Sequence, residues 1–188
     1  MNSSARIITH AFLLLLLFVI SPVKAQQTTA SWSRGQLIAN AREIMSAARY
    51  GALITLDSSG RPQARTVDPF APDEHMQIWI GTNPRSRKVA EIRRNRRVTL
   101  YYFDRDSEAY VSISGTARLV NEPKEKAKRW KEEWKDFYPD RAKDYLLIVV
   151  TPEKLELVNV KKGIVGDPVT WKPPSVVFTR ARKRKSNK

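Results

Sequence analysis

Short runs of β-branched and aromatic residues, several of them alternating with polar residues, dominate the chain between residues 52 and 160. Such runs are typical of strands, and alternation with a period of two indicates a strand with one wet face. We therefore predict strands at residues 52–56, 63–69, 76–81, 98–103, 110–120, 145–150 and 154–160. The last two are predicted as separate segments because Thr151 and Pro152 interrupt them, and Gly115 predicts a bulge in the long strand before them.

Two segments have the period of a helix instead. In residues 36–45 the apolar side chains recur at helical spacing, and Ser33 precedes them as an N-cap. Residues 89–95 follow Ser86, which is likewise well placed as an N-cap. The first helix therefore has one apolar face through which it can pack.

A third helix is predicted from about Pro123, with Asn121 as its cap, because proline is favoured at the first helical position. Trp130, Trp134 and Phe137 follow at spacings of four and three residues, which places them on one side of a helix. An aromatic stripe of this kind packs on a sheet more often than it binds a cofactor. We therefore interpret the stripe as part of the core.

Strands that follow one another through short turns predict an antiparallel sheet, which closes most easily as a small barrel. The expected fold is mainly β: a six-stranded antiparallel barrel with flanking helices that spans residues 33–160. Residues 161–179 are rich in glycine and proline and predict a loop segment. Residues 180–188 are basic and predict a disordered tail.

The beginning of the chain has the features of a targeting segment. Residues 11–20 form an apolar run with a basic residue on either side. A helix needs roughly 18–20 apolar residues to span a bilayer, so this run is short. Small residues place a cleavage position after Ala25, and we interpret residues 1–25 as a signal peptide and 26–32 as a linker. We expect export to the periplasm or the medium, with an uncleaved anchor as the alternative.

The net charge of +15 favours anionic partners. Basic residues are concentrated in residues 85–97, where Glu91 is the one acid, and in residues 180–188, which contain no acid. The tail could attach to an anionic envelope surface. Nucleic-acid binding also fits the charge, but it does not fit the predicted export, so no nucleic-acid partner is expected.

The side chains available for catalysis are few. The chain has no cysteine, and its histidines are His10 and His75. His75 beside Asp73 and Glu74 does not make a specific metal site, so we predict no metal. A serine–histidine–aspartate triad and a glycine-rich dinucleotide loop are also missing from the sequence. Any chemistry would therefore come from a bound cofactor.

Residues 82–88, Thr-Asn-Pro-Arg-Ser-Arg-Lys, join a predicted strand to a predicted helix. Thr82 and Ser86 supply hydroxyl groups, and Arg85, Arg87 and Lys88 are predicted to lie in the first helical turn. The start of a helix also offers free N–H groups and the positive end of the helix dipole. Together these groups favour a bound phosphate, with a solvated basic turn as the alternative.

Three further features accompany this loop in a fixed order. Arg65-Thr66-Val67 lies on a preceding strand, Asn95-Arg96-Arg97-Val98 leads into the next strand, and residues 110–117 form the start of the long alternating strand. In this order the motifs resemble the pyridoxamine phosphate oxidase-like flavin-binding split barrels, and most of all their general-stress-protein branch. The resemblance covers residues 34–160.

The resemblance implies a six-stranded split barrel that forms a homodimer, with FMN bound between the subunits and a deazaflavin as a variant cofactor. Arg87 and Lys88 would hold the phosphate, with Arg65 as a further ligand. Tyr110 stands where the family has a polar side chain, often glutamine. The predicted cofactor-binding residues are Arg65, Thr66, Val67, Thr82, Ser86, Arg87, Lys88 and Tyr110. No catalytic residue is assigned.

The C-terminal part departs from the family pattern. The Arg-x-His signature that grips pyridoxine phosphate in the true oxidases is missing, so vitamin B6 oxidation is not expected. Trp171 could stack on the flavin across the dimer or pack within its loop. We expect an exported FMN-binding protein, a flavin-dependent oxidoreductase of unknown substrate. The alternatives are a flavin carrier or stress-related protein without turnover, and an anion-binding envelope protein without a cofactor.

Overall fold

A curled antiparallel sheet forms the centre of the protein. The structure is a computed structural model that describes residues 32–179. The strands are β1 (Gly51–Leu56), β2 (Pro62–Val67), β3 (Ile78–Thr82), β4 (Arg97–Asp104), β5 (Ala109–Val120), β6 (Leu146–Asn159) and β7 (Ser175–Val177). The helices are α1 (Arg34–Ala48), α2 (Arg87–Arg94), α3 (Pro123–Lys128) and α4 (Arg141–Asp144), and short 3₁₀ turns cover Glu132–Trp134 and Val160–Lys162.

The strand order shows how the sheet curls. The order is β2-β1-β4-β5-β6-β3, and β7 pairs with β6. β3 pairs with β6 at one edge of the sheet, whereas β2, its neighbour in the chain, lies at the other edge. The strands are therefore not a simple succession of hairpins. An isolated bridge between Pro69, just after β2, and Ile80 on β3 brings the two edges together. The predicted mainly β fold, a six-strand antiparallel split barrel, is therefore confirmed.

The long pair β5 and β6 contains the predicted bulge. The register shifts between Ser114 and Gly115. A Cβ atom on Gly115 would lie 2.2 Å from the carbonyl oxygen of Thr151, so only glycine allows this close approach. The predicted break at Thr151-Pro152 is wrong, because β6 runs unbroken through both residues. Pro152 pairs with Gly115 at the bulge, where a missing N–H group interrupts little of the ladder.

The first helix forms as predicted and packs on the barrel. Ser33 and Gln36 make a complete capping box at its start. Leu37, Ala41 and Ile44 are buried in the same cluster as the inward side chains of the sheet, and α1 contacts β4 and β5. Full burial of a leucine or isoleucine side chain contributes about 1.5–3 kcal/mol, so this face holds the helix in place.

The third predicted helix is shorter than its pattern suggested. Glu122 takes the N-cap position in place of Asn121, whose side chain accepts a hydrogen bond from Lys126 at 3.2 Å. α3 ends at Lys128, because Arg129 leaves helical geometry and its guanidinium stacks 3.4 Å above the ring of Trp79. The predicted stripe therefore does not lie on one helix.

The aromatic residues of the predicted stripe have different environments. Trp134 is buried and Trp130 half-buried in a second cluster with Trp79 and Tyr145, as the core interpretation requires. The assignment of Phe137 to the core is wrong, because this residue is 73% exposed. The segment after α3 instead brings these rings to the loop that follows β3.

The C-terminal part of the described chain adds a short strand to the sheet. The segment after β6, predicted as a loop, contains β7, whose Val176 is buried against the sheet. The predicted signal peptide at residues 1–25 and the predicted tail at residues 180–188 lie outside the described residues. Within residues 32–179, the structure has no helix with the length and apolar character that a bilayer span requires.

Candidate functional site

The loop between β3 and α2 places two hydroxyl groups side by side. Ser86 has the extended backbone of an N-cap, but its side chain makes no capping bond. Its hydroxyl instead lies 3.1 Å from the hydroxyl of Thr82. Since the first N–H groups of a helix have no partner within it, the start of α2 retains donors for a ligand.

Arg85 does not take the position that the sequence suggested. It precedes the helix, and its guanidinium donates to Asp144 on α4 at 2.9 Å. The side chain of Asn83 accepts a hydrogen bond from the N–H of Arg85 at 2.9 Å. This bond closes a turn that directs the loop toward α4. Arg85 therefore links the loop to the rest of the protein.

The carboxylate of Glu91 organises the basic residues around α2. Glu91 is only 3% exposed. Its Oε2 accepts from Arg65 at 2.7 Å and from the hydroxyl of Thr55 at 2.5 Å, and its Oε1 lies 3.2 Å from Nε of Arg87. A buried carboxylate needs such partners, because an unpaired buried charge is strongly unfavourable. Arg65 and Arg87, two of the three cations predicted to bind the phosphate, thus both form ion pairs with Glu91.

Lys88 has a different environment from these arginines. It is half-buried, and within the described chain no carboxylate lies within 4.0 Å of its ammonium group. Burial lowers the pKa of Lys88, and repulsion from Arg65 and Arg87 lowers it further against the opposing effect of Glu91. The lysine is therefore a cation that an incoming anion would stabilise.

A cleft of about 530 Å³ lies beside Lys88, and we call it the Lys88 cleft. One group of its lining residues comes from β2, the end of β3 and the start of α2: Thr66, Val67, Thr82, Ser86 and Lys88. Another group is aromatic: Tyr50, Trp134, Phe137 and Tyr138. Arg49, Asp68 and Glu133 also line the cleft, which thus combines hydroxyl groups, two cations and two acids with flat apolar surfaces.

The cleft brings together five of the eight residues predicted to bind the cofactor. Arg65 and Arg87 do not line it and instead contact Glu91. Tyr110 lies elsewhere on the sheet, where it stacks on Tyr101 with ring centroids 5.7 Å apart. Burial raises the pKa of Tyr110, and Tyr101 adds to the effect. Within one subunit, Tyr110 is therefore separate from the cleft.

The sequence did not identify the acid and the aromatic residues of this site. In the sequence, Glu91 is notable only as the one acid in residues 85–97, although its position four residues after Arg87 and next to Ile92 is a sign of an ion pair. Phe137 was assigned to the core. Its exposure in a cleft is the signal for ligand binding, and only the structure shows it.

The lining residues suit the two chemically distinct parts of FMN. Lys88, the hydroxyl groups and the start of α2 suit a phosphate. The aromatic residues suit a flat ring system, and a volume of about 530 Å³ lies within the usual range for ligand sites. The half-buried ammonium group without a close carboxylate is the observation that favours an anionic ligand.

Comparison with known proteins identifies relatives of the chain. General stress protein 26 of Bacillus subtilis is 25% identical over 121 residues, which cover 62% of this chain and 84% of that protein. A crystal structure from Clostridium acetobutylicum, of a protein related to general stress protein 26, matches with a TM-score of 0.62 at 19% identity, covering 76% of this chain and 94% of the other.

A third relative is described as a pyridoxamine 5'-phosphate oxidase-related, FMN binding protein from Nostoc punctiforme. Its structure matches with a TM-score of 0.53 at 18% identity and covers 79% of this chain and 99% of the other. At these identities the structural matches establish the fold. The sequence model of the family described as pyridoxamine 5'-phosphate oxidase matches residues 37–159, which is more than half of the chain. With this match and the split-barrel fold, the chain belongs to the pyridoxamine 5'-phosphate oxidase family.

Proposed function

We propose that the protein is an exported FMN-binding protein that acts as a flavin-dependent oxidoreductase on a substrate still to be identified. The observation that carries the proposal is Lys88, a half-buried cation in a cleft that also contains hydroxyl groups and aromatic rings. Bound FMN would supply hydride and electron transfer. The family membership and the FMN-binding relative from Nostoc punctiforme support this choice of cofactor.

The residues of the cleft have distinct roles in this proposal. Lys88 and the hydroxyl groups of Thr82 and Ser86 would hold the phosphate through charge-assisted hydrogen bonds. Arg87, exposed at the start of α2, adds positive charge, and Glu91 fixes its guanidinium. Arg65 acts as a positioning residue because it supports Glu91 from β2.

The remaining cleft residues would hold the ring. Thr66 and Val67 on β2 form one surface, and Tyr50 and Phe137 form an aromatic surface that is open to solvent. Aromatic rings bind flat ligands through area and through offset or edge-to-face contacts. A bound ring would therefore cover aromatic surface that is exposed to solvent without it.

A second subunit fits the exposed face of the sheet that carries Tyr110. Phe103, paired with Tyr110 in the register of β4 and β5, is 53% exposed, and Tyr101 beside it is also exposed. Contiguous exposed aromatic side chains mark interaction surfaces. We propose that this face is the contact of a homodimer, which would place Tyr110 at the subunit boundary, where the family resemblance locates FMN.

Placing a charge on this face is expected to separate the subunits. Phe103→Glu should give a monomer, because a carboxylate buried in an apolar interface has no partner. Sedimentation velocity of the wild type and the variant measures the change. Ala127→Glu, at an exposed position on α3, adds the same charge elsewhere and should leave the dimer intact. A wild type that sediments as a monomer at all concentrations would contradict the proposed dimer.

The absorption spectrum of the purified protein tests the proposed function. Protein recovered from the periplasmic or secreted fraction should be yellow, with the absorption bands of a flavin, and heat should release FMN. The apolar run at residues 11–20 supports export. Colourless protein that does not take up added FMN would overturn the proposal. Bleaching by NADH or NADPH without oxygen would indicate turnover, and yellow protein that neither of these donors bleaches would favour a carrier.

A further inference from the structure

A second cavity, of about 390 Å³, adjoins the Lys88 cleft. It lies between α1 and the segment at residues 68–72, and we call it the Arg49 cavity. Arg49 and Asp68 line both the cavity and the cleft. A molecule in the cavity would therefore lie next to whatever occupies the cleft.

Among the charged side chains that line the cavity, Arg49 is the one without a hydrogen-bond or ion-pair partner closer than 4.0 Å within residues 32–179. Asp68 is neutralised by Lys131, whose ammonium lies 2.7 Å away, and it also accepts from the indole of Trp134 at 3.3 Å. Arg42 donates to two backbone carbonyl groups at 2.7 and 2.5 Å. Arg49 lies 4.0 Å from Glu133, its guanidinium stacks 5.0 Å from the ring centroid of Tyr50, and its side chain is 61% exposed. The cavity thus has surplus positive charge at Arg49.

The backbone holds Arg49 in a conformation that a non-glycine residue rarely adopts. Its φ is 59° and its ψ is −57°. The N–H of Tyr50 donates to the carbonyl of Ala48 at 2.6 Å, which closes a tight γ-turn around Arg49. Such strained turns cost free energy and are concentrated at ligand sites. Glycine would relieve the strain, so the presence of arginine points to a role for its side chain.

A tyrosine that lines the cavity has a buried hydroxyl group without a hydrogen-bond partner in the described chain. Tyr102 lines the cavity and is 1% exposed, and its hydroxyl makes no hydrogen bond within residues 32–179. A buried hydroxyl without a partner destabilises the protein. The surrounding surface is apolar and includes Met45, Phe70 and Pro72. The cavity therefore has apolar side chains, a buried tyrosine and an exposed cation among its lining residues.

We propose that the Arg49 cavity binds a small organic carboxylate with an apolar body. The planar guanidinium of Arg49 forms paired hydrogen bonds with the carboxylate. Met45 and Phe70 contact the apolar body, and the hydroxyl of Tyr102 bonds a polar atom of the ligand. Because the cavity adjoins the cleft, this ligand is the substrate of the bound flavin. That last assignment rests on the proposed function, whereas binding of the carboxylate does not.

Benzoate is a suitable probe, and its binding to FMN-free protein can be measured by calorimetry. We expect Arg49→Gly to weaken benzoate binding roughly tenfold or more, because a charge-assisted pair is lost. The same substitution should not lower the melting temperature, because glycine accepts a positive φ. Arg105→Gly, in the exposed turn after β4, is the matched control and should leave the affinity unchanged.

Tyr102→Phe gives a second, independent measurement. Removing the unpartnered hydroxyl should leave the melting temperature unchanged or raised, while weakening the binding of a hydroxybenzoate carrying a second polar group. Benzamide, which has no charge, should bind more weakly than benzoate to the wild type. Equal binding of benzoate and benzamide, or undiminished benzoate binding to Arg49→Gly, would overturn the proposal. Since FMN is absent, these outcomes do not depend on whether the protein binds flavin.

Discussion

Replacing Lys88 with alanine is expected to weaken FMN binding by roughly 10- to 100-fold, because hydrogen bonds between charged groups contribute about 1.5–3 kcal/mol. Lys88 is the half-buried cation of the cleft, and no close carboxylate in the described chain competes for it. Arg87→Ala alone should weaken FMN binding less than Lys88→Ala, since this arginine is exposed and also contacts Glu91. Together the two substitutions should abolish FMN retention while the barrel still folds.

Fluorescence titration of FMN measures these affinities, and Arg93→Ala provides the control. Arg93 lies on the same helix, is exposed and does not line the cleft, so its loss removes one charge without removing a ligand. Because the pKa of Lys88 is lowered by burial, FMN affinity should also decline on raising the pH before an exposed lysine loses its proton. Undiminished binding to the double variant would mean that the phosphate lies elsewhere.

Replacing Arg65 with methionine is expected to lower the free energy of unfolding by about 3 kcal/mol, because it removes the closest ion-pair partner of a buried carboxylate. Glu91 is almost wholly buried, and Arg65, at 2.7 Å, is itself mostly covered. Arg87 and Thr55 remain as partners, which keeps the effect at the lower end of the range for a broken buried pair. Urea denaturation of cofactor-free protein measures the change.

The double substitution of Arg65 and Glu91 separates the cost of an unpaired charge from the net value of the ion pair. Arg65→Met with Glu91→Leu should be more stable than Arg65→Met alone, because no buried charge is left without its partner. Arg61→Met, at an exposed position in the turn before β2, is the matched control. If Arg65→Met is as stable as the wild type, Glu91 does not depend on this arginine.

Arg65 and Lys88 have different environments in the structure, which the local sequence pattern does not distinguish. Both residues belong to a motif that predicts cofactor binding, and the sequence treats them alike. In the structure one contacts a buried acid and the other lines an open cleft. The difference depends on the direction in which each side chain leaves the barrel, and β2 and α2 meet only after the sheet has curled.

Similar reasons explain the errors in the fold. The break predicted at Pro152 assumed that every residue of a strand needs its N–H group, but the bulge at Gly115 removes that need at this position. The helix predicted through Phe137 followed a correct spacing of aromatic residues. Packing of Arg129 on Trp79 ended that helix early, and such a contact across the chain has no local signal.

The sequence by itself determined strands β1 to β5, the first helix, the bulge and the loop of hydroxyl and basic residues at 82–88, because each has a signal in neighbours along the chain. Only the tertiary structure decided that Glu91 is buried, that Phe137 is exposed in a cleft, and that Arg49 lies between two cavities. Burial and cavity shape arise from segments far apart in sequence, such as α1, the residues after β2 and the segment after α3. Their relative positions follow from the curl of the sheet, which no local pattern encodes.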